Sequence, residues 1–176
     1  RPVITGEWAQ PGLADLKHFG AATATSGGVE LFHIPGITPE APTLASAFNG
    51  NIPEAVTSFG PRERQRVYDD LNSQGTSTDV DFILLGCPHA SLEQIEAIAR
   101  RLDGKRISSE VELWVMTPPA LFANAVRNGY VRTIREDGGQ VLTDSCPAMS
   151  RAAPEGTRVF ATDSAKQVHY LPAILG

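Results

Sequence analysis

The chain has 176 residues, two cysteines and a formal net charge of −5. This length suits an α/β domain with a sizeable core. The acidic balance argues against general nucleic-acid binding, which requires a basic face, and no apolar run approaches the roughly 20 residues of a membrane span. Two cysteines do not form a disulfide framework. We therefore expect a cytosolic protein with reduced thiols.

The ends of the chain and its first quarter carry further expectations. The chain begins without an initiator methionine and stops after an apolar helix, so we expect a fragment or processed piece with missing partners. Residues 1–176 are expected to form one α/β domain, with residues 1–50 as a candidate lobe shared with a missing domain. The elements predicted in this first quarter are a helix at 13–24, a break at 25–28, a strand at 29–34 and a short helix near 41–48.

From residue 54 onwards the chain alternates strands with helices. Continuous apolar strands followed by helices are typical of a parallel sheet that is buried on both faces. The predicted fold is therefore a three-layer αβα domain with a mostly parallel sheet. The predicted strands are 54–59, 80–86, 111–117, 140–144 and 157–162, and the predicted helices are 61–73, 91–103, 118–135 and 165–175.

The helix that follows residue 90 has the clearest local signals. Ser91 is a natural N-cap, and Gln94 completes a capping box three residues later. Apolar side chains recur along one stripe between residues 92 and 102. Gly104 then predicts the end of the helix.

Both cysteines stand where predicted strands end. Cys87 stands in the sequence GCPH at 86–89, and Cys146 stands in DSCP at 144–147. Ligands bind beyond the carboxyl ends of parallel strands, where helix N-termini favour anions. We therefore expect both thiols at one rim, close enough to hold one metal centre. The other polar residues predicted at this rim are His89, Thr117, Asp144, Ser145, Asp163, Ser164 and Lys166.

Most of these residues also have an ordinary structural interpretation. A lone cysteine is often a buried small hydrophobe, His89 can simply pack near a helix N-terminus, and Asp144 and Asp163 are common helix caps. Lys166 is less ordinary, because a cation in a first helical turn opposes the helix dipole. This position favours contact with an anion. The SGG sequence at 26–28 is either a flexible turn or a place where a substrate approaches the backbone closely.

The residues alone leave the chemistry of the rim open. Two thiolates do not complete an iron–sulfur cluster, which usually has three or four protein ligands, so a remaining ligand would come from sequence absent here. Zinc bound by Cys87, His89 and Cys146 is an alternative, although these residues lack a short-range ligand pair of standard spacing. Two further alternatives are a non-catalytic module that binds a small anion and a hydrolase with Cys87 as the nucleophile.

Four separated segments of the chain resemble the aconitase X family. They occur in the family's order and span nearly the whole chain. The resemblance corresponds to the C-terminal part of the family's catalytic large region. The segments are LKHFGAATATSGGVELFHIPGITPEAPT (16–43), GCPHASLEQI (86–95), DSC (144–146) and TDSAKQVHYLPAILG (162–176).

The resemblance implies an iron–sulfur-dependent hydro-lyase. In aconitase-like enzymes a cluster held by three cysteines activates a substrate hydroxyl as the leaving group. Cys87 and Cys146 match two of the family's cysteine positions, so the third ligand is expected upstream. The base of related aconitases is a serine on a small swivelling domain, which is outside these residues, so the chain alone is expected to be inactive. The expected partners are the remaining N-terminal part, the swivelling domain or subunit, and a small carboxylate substrate.

The family offers two candidate substrates. Its bacterial members act on cis-3-hydroxy-L-proline and its archaeal members on phosphomevalonate. A composition rich in Ala and Arg with few lysines favours the first. The sequence departs from the family's usual pattern at TSGG (25–28), SCP (145–147) and DSA (163–165), all near the expected site. The residues expected to bind the substrate are Ser26, Gly27, His89, Ser164 and Lys166.

Overall fold

Four parallel strands form the sheet of the computed structural model, which describes residues 1–72 and 77–175. The order across the sheet is β3-β2-β1-β4. Phe82 of the first strand lies beside Glu112 of the second and beside Phe160 of the fourth. The parallel sheet confirms the predicted fold class. The strands are β1 (Phe82–Leu85), β2 (Glu112–Met116), β3 (Gly139–Leu142) and β4 (Phe160–Thr162).

The chain divides into two compact units, residues 1–74 and residues 75–176. This division differs from the expected single domain over 1–176 and from a boundary near residue 50. The second unit contains the sheet and five helices, whereas the described part of the first contains three helices. The helices are α1 (Leu13–Gly27), α2 (Leu44–Phe48), α3 (Pro61–Asn72), α4 (Leu92–Leu102), α5 (Pro119–Arg127), α6 (Tyr130–Glu136), α7 (Pro147–Ser150) and α8 (Ala165–Leu175).

The sheet is covered on both faces because successive strand residues point to opposite sides. One face packs against α4, α5 and α6, and its cluster includes Ile95, Val115 and Ile134. The other face packs against α7 and α8, and its cluster includes Phe82 and Leu171. Burial on both sides explains why the strands are nearly continuous apolar runs.

Asp81 fixes the last strand against the first. Its carboxylate accepts hydrogen bonds from the N–H groups of Arg158 and Val159 at 3.0–3.3 Å. Its own N–H donates to the carbonyl oxygen of Val159 at 3.0 Å. Residues 158 and 159 are therefore held by this carboxylate as well as by backbone hydrogen bonds, and β4 begins at Phe160 instead of at the predicted residue 157.

The strand predicted at 54–59 is wrong, because the structure has neither helix nor strand there. Val56 and Phe59 are exposed. A strand needs a neighbouring chain for its backbone hydrogen bonds, and the sheet of the second unit takes its four strands from residues 82–162. The strand predicted at 29–34 is reduced to a single parallel bridge between Val3 and His33.

Two predicted helices change at glycines. The first helix, predicted over 13–24 with a break at 25–28, continues through Gly27. It ends only at Gly28, which has a φ of +61°. The helix predicted over 118–135 divides into α5 and α6 at Gly129, which has a φ of +81°. Both glycines adopt the left-handed conformation that stops a right-handed helix.

The other helix predictions agree with the structure to within a few residues. Ser91 caps α4, and its hydroxyl accepts the Gln94 N–H at 3.3 Å in the predicted capping box. The helix predicted over 61–73 is observed as Pro61–Asn72, and residue 73 lies outside the described residues. In the part of the chain that the structure describes, none of the helices is both long and apolar enough to cross a membrane.

Truncating Ile134 to alanine should destabilise the second unit strongly. The side chain is fully buried in the cluster beneath α6, and Ile134→Ala is expected to lower the free energy of unfolding by about 2–5 kcal/mol because it leaves a cavity. Val126→Ala is the control, because Val126 is half exposed on α5 and its loss should stay within about 0.5 kcal/mol. Urea denaturation measures both, and equal effects would contradict this packing.

Candidate functional site

The strand order creates a topological switch point between β1 and β4, which is the place where the path of the chain across the sheet reverses. The chain runs from β1 outwards to β2 and β3, and then returns to the other side of β1 as β4. The helix after β1 covers one face of the sheet and the helix after β4 covers the other. Open α/β sheets bind ligands at the carboxyl ends of the strands at such a point. Residues 86–90 and 163–166 flank it here.

The loop after β1 is held tightly against the end of β2. Gly86 has a φ of +89°, and a Cβ atom at this position would overlap the carbonyl oxygen of Met116. That same oxygen accepts the Ala90 N–H at 2.8 Å, and Thr117 Oγ1 donates to the Ala90 carbonyl oxygen at 2.9 Å. These contacts fix Cys87 at the switch point, where the side chain is 8% exposed.

Cys146 reaches the face of the sheet that α8 covers by a turn after β3. β3 is an edge strand, but the segment after it turns at Asp144, which has a φ of +65°. Thr143 Oγ1 donates to Asp144 Oδ2 at 2.6 Å within this turn. Cys146 is half-buried at the N-cap of α7, and it packs against the cluster that contains Phe82 and Leu171. The turn therefore brings the second thiol back over the face of the sheet.

The start of α8 forms the other side of the switch point. Ser164 is 2% exposed, and its hydroxyl accepts the Gln167 N–H at 3.3 Å. The Ser164 N–H donates to Thr162 Oγ1 at 3.2 Å. Lys166 is half-buried and forms no ion pair with any residue that the structure describes. A half-buried cation without a carboxylate partner is suited to an external anion.

Sequence reasoning missed Gln167, which is buried beside this cation. The spacing Ser164-x-x-Gln167 is a capping-box signature, and it suggests an ordinary helix start. In the structure the side-chain amide does not complete that box, since the Ser164 N–H is bonded to Thr162. Both amide atoms of Gln167 lack a partner among the described residues. The sequence contains no signal that the Gln167 amide lacks a partner, because its bonding depends on where the Ser164 N–H points in the folded chain.

The remaining predicted site residues lie in varied surroundings. His89, Asp144, Ser145 and Asp163 are exposed near the strand ends, whereas Thr117 is fully buried and hydrogen-bonded. Ser26 and Gly27 belong to the first unit, at the end of α1. Ser26 Oγ donates to the Ala22 carbonyl oxygen at 2.9 Å. In the second unit, the structure thus brings Cys87, Ser164 and Lys166 to neighbouring strand ends.

The donor set fits part of an iron–sulfur site. Both thiols are free, and neither is exposed. Thiolates are the ligands that iron–sulfur centres prefer. Among residues 1–72 and 77–175, however, no three His, Cys, Asp or Glu side chains are grouped so that they could hold a metal ion. The chain therefore offers two ligands of suitable chemistry but not a complete set.

A cavity of about 580 Å³ opens at the opposite edge of the sheet, away from the thiols. It is lined by residues that precede or begin the strands, among them Asp81, Glu110, Glu112 and Glu155, with Arg158 as the only cation in this lining. Carboxylates at this density repel an anionic substrate. The cavity does not compete with the switch point as a site for a carboxylate.

A parallel αβα unit with functional groups at a switch point defines the broad class of ligand-binding α/β proteins. Comparison with models of protein families identifies one family within this class. The aconitase X second domain matches residues 1–69, and the aconitase X third domain matches residues 80–176. The chain belongs to the aconitase X family, as the resemblance predicted. The two matched domains correspond closely to the two structural units.

Named relatives extend the comparison. The chain is 37% identical to cis-3-hydroxy-L-proline dehydratase of Pseudomonas aeruginosa, over 99% of this chain and 30% of that protein. It is 37% identical to the phosphomevalonate dehydratase large subunit of Methanothermobacter thermautotrophicus, over 94% of this chain and 40% of that protein. The chain therefore spans well under half the length of these relatives.

A solved structure supports the fold. The crystal structure of Thermococcus kodakaraensis aconitase X in its holo-form matches with a TM-score of 0.73 and 30% sequence identity. The match covers 91% of this chain and 39% of that chain. The three-layer αβα arrangement is thus a family property.

Adding a methyl group at Gly86 should disrupt the loop that carries Cys87. Gly86→Ala is expected to cost about 2–5 kcal/mol of unfolding free energy, because a left-handed backbone and an overlap with β2 act together. Gly104→Ala is the matched control, since Gly104 also has a positive φ of +72° but open space around it. The control should cost roughly 1 kcal/mol. Equal losses in urea denaturation would show that the close approach to Met116 is unimportant.

Proposed function

We propose that this chain is the part of an aconitase X-type dehydratase, a hydro-lyase, that supplies two cluster ligands and part of the substrate pocket. The observation that carries the proposal is that Cys87 and Lys166 follow the paired strands β1 and β4, while Cys146 packs on the cluster beneath α8. The relatives named as dehydratases support it. A site of thiols beside a half-buried cation suits an anionic substrate that loses water at a metal centre.

We propose cis-3-hydroxy-L-proline as the substrate, with phosphomevalonate as the alternative. The relatives of both kinds reach 37% identity, so identity does not separate them. The matches to the two hydroxyproline dehydratases extend over 99% of the chain. Those to the phosphomevalonate dehydratases extend over 88–96% of it. This difference and the lysine-poor composition favour the amino acid.

In this proposal the chain's own residues bind and orient the substrate. Cys87 and Cys146 would hold an iron–sulfur centre together with a third ligand from outside these residues. Such a centre supplies a Lewis acid that polarises a hydroxyl leaving group. Lys166 binds the substrate carboxylate, and the first backbone N–H groups of α8 add to the same field. Ser164 fixes the start of α8 and so fixes where these donors point.

The same proposal assigns proton removal to a part of the enzyme outside this chain. Dehydration requires a base that removes the proton next to the carboxylate. The resemblance places that base on a small swivelling domain, so the isolated chain should bind but not catalyse. The first unit supports a need for partners, because none of the three helices in its described part contains a buried residue. We propose the cytosol as the location, since reduced thiols are stable there.

A dehydration assay on the complete protein tests the function directly. Loss of one water from cis-3-hydroxy-L-proline, together with visible iron–sulfur absorption, is the expected result. Dehydration of 5-phosphomevalonate instead would select the alternative substrate. A complete protein that is folded and contains iron but dehydrates neither compound would contradict the proposal.

Replacing either cysteine should remove both the metal and the activity. A hydroxyl is a poor substitute for a soft thiolate, so Cys87→Ser or Cys146→Ser in the complete protein is expected to abolish iron retention and turnover. Iron content per folded molecule and circular dichroism are measured together. Because Cys87 is buried, Cys87→Ala serves as a second variant that adds no buried hydroxyl. A Cys87→Ser protein with full iron content and activity would show that the motif is structural only.

Removing the charge of Lys166 should impair the reaction more than the fold. Lys166→Met keeps most of the apolar stem, and we expect near wild-type thermal stability. Loss of a charged substrate contact should reduce kcat/KM by a factor equivalent to about 2–5 kcal/mol. Lys105→Met, at an exposed position after α4, is the control and should change neither property. A sharply lower melting temperature with unchanged catalysis per folded molecule would assign Lys166 to the scaffold.

A further inference from the structure

The first turn of α8 holds a buried amide without a partner. Gln167 is 1% exposed, and neither its Nε2 nor its Oε1 forms a hydrogen bond with the described residues. Its backbone N–H is used, since it donates to Ser164 Oγ at 3.3 Å. The side chain is not needed for the cap, because Thr162 already accepts the Ser164 N–H. Within Gln167, the side-chain carboxamide is therefore the group that lacks a hydrogen-bond partner among the described residues.

Such a group lowers the stability of the fold. A buried amide that loses its water without gaining a partner is unfavourable, and an apolar side chain of the same shape would avoid the penalty. Met or Leu would also continue the apolar face that Leu171 forms in the same helix. A polar group kept at a destabilising position is typical of functional sites.

Helix geometry places this amide on the same side of the sheet as Cys146. Gln167 and Leu171 are four residues apart and so share one face of α8. Leu171 belongs to the cluster that Cys146 packs against. Helical side chains tilt towards the helix N-terminus, which for α8 is the carboxyl edge of the sheet. Gln167 therefore lies above Leu171, towards the switch point, and directly follows Lys166 in the chain.

We propose that the Gln167 carboxamide, which is covered in this structure, turns towards the switch point and recognises the zwitterionic head of an amino-acid substrate. Oε1 accepts a hydrogen bond from the substrate ammonium, and Nε2 donates one to the substrate carboxylate. The two orphaned atoms require one donor and one acceptor from the ligand. A ring α-amino acid such as hydroxyproline carries both on adjacent positions. This inference rests on the proposed function and makes Gln167 a specificity residue of that site.

The alternative substrate satisfies this amide less well. The ionised phosphate and carboxylate of phosphomevalonate offer only acceptors, so Oε1 would remain without a donor from either charged end. Leaving a buried polar group unpaired is what produces strong discrimination between similar ligands. Lys166 and Gln167 then have separate roles, since the ammonium of Lys166 attracts any anion while the amide selects a zwitterion.

The test uses the complete protein and two unreactive probes, L-proline and cyclopentanecarboxylate, which lacks the ammonium group. The wild type should bind L-proline more tightly. Gln167→Met should weaken L-proline binding about 10- to 100-fold, as expected when a buried polar contact is lost. It should affect cyclopentanecarboxylate much less, and the ligand-free melting temperature should stay equal or rise. Gln140→Met is the control, because Gln140 is an exposed amide of β3 bonded to Glu112 at 3.3 Å.

Each outcome separates this inference from the proposed function. A sharp fall in ligand-free melting temperature with unchanged proline affinity would show that another part of the protein satisfies the amide, and would overturn the inference. An unchanged KM for cis-3-hydroxy-L-proline in an active Gln167→Met enzyme would do the same while leaving the function intact. Proline binding that depends on Gln167, in a protein that dehydrates neither candidate, counts against the function alone. If Gln167→Met does not fold, Gln167→Leu is measured in the same way.

Discussion

The pairing of β4 with β1 is the constraint on which the site depends. Without it, α8 would start beyond the edge of the sheet and its first turn would not face the loop after β1. The pairing is short, with three residues in register from Phe82 and Phe160. Asp81 reinforces it by accepting two backbone N–H groups from the approaching chain. One carboxylate at the amino edge thus helps to hold together the strand pair whose carboxyl ends lead to Cys87 and Lys166.

Close packing of the loop after β1 against β2 fixes the position of the Cys87 thiol relative to the sheet. Gly86 allows the chain leaving β1 to touch the backbone of β2, and two hydrogen bonds then hold the loop around Ala90. Backbone contacts of this kind leave little freedom to the residue between them. A side chain held by such a loop is preorganised, so the proposed metal binding by Cys87 would spend little energy on ordering it.

The switch point combines groups that the fold itself does not need. Lys166 opposes the dipole of its helix, and Gln167 buries an amide without a partner in the described chain. A core selected only for stability would place apolar side chains at both positions. Their presence at the same helix start as the Ser164 cap is what the proposed recognition role predicts.

Much of the second unit could be predicted from the sequence because its signals are local. The Ser91–Gln94 capping box requires only a spacing of three residues, and the apolar strands show burial on both faces without reference to their neighbours. The first unit was harder to predict. Residues 54–59 have a strand composition, but strand formation depends on a partner chain, which composition does not reveal.

The sequence by itself determined the class of fold and the family, since each is encoded in short runs of residues. Only the tertiary structure decided the strand order, because pairing of β4 with β1 joins residues almost eighty positions apart. The same order decided that Cys146, after an edge strand, packs on the cluster beneath α8. It also left Gln167 without a partner, since hydrogen-bond satisfaction depends on where neighbouring donors point in space and not on which residues are adjacent in the chain.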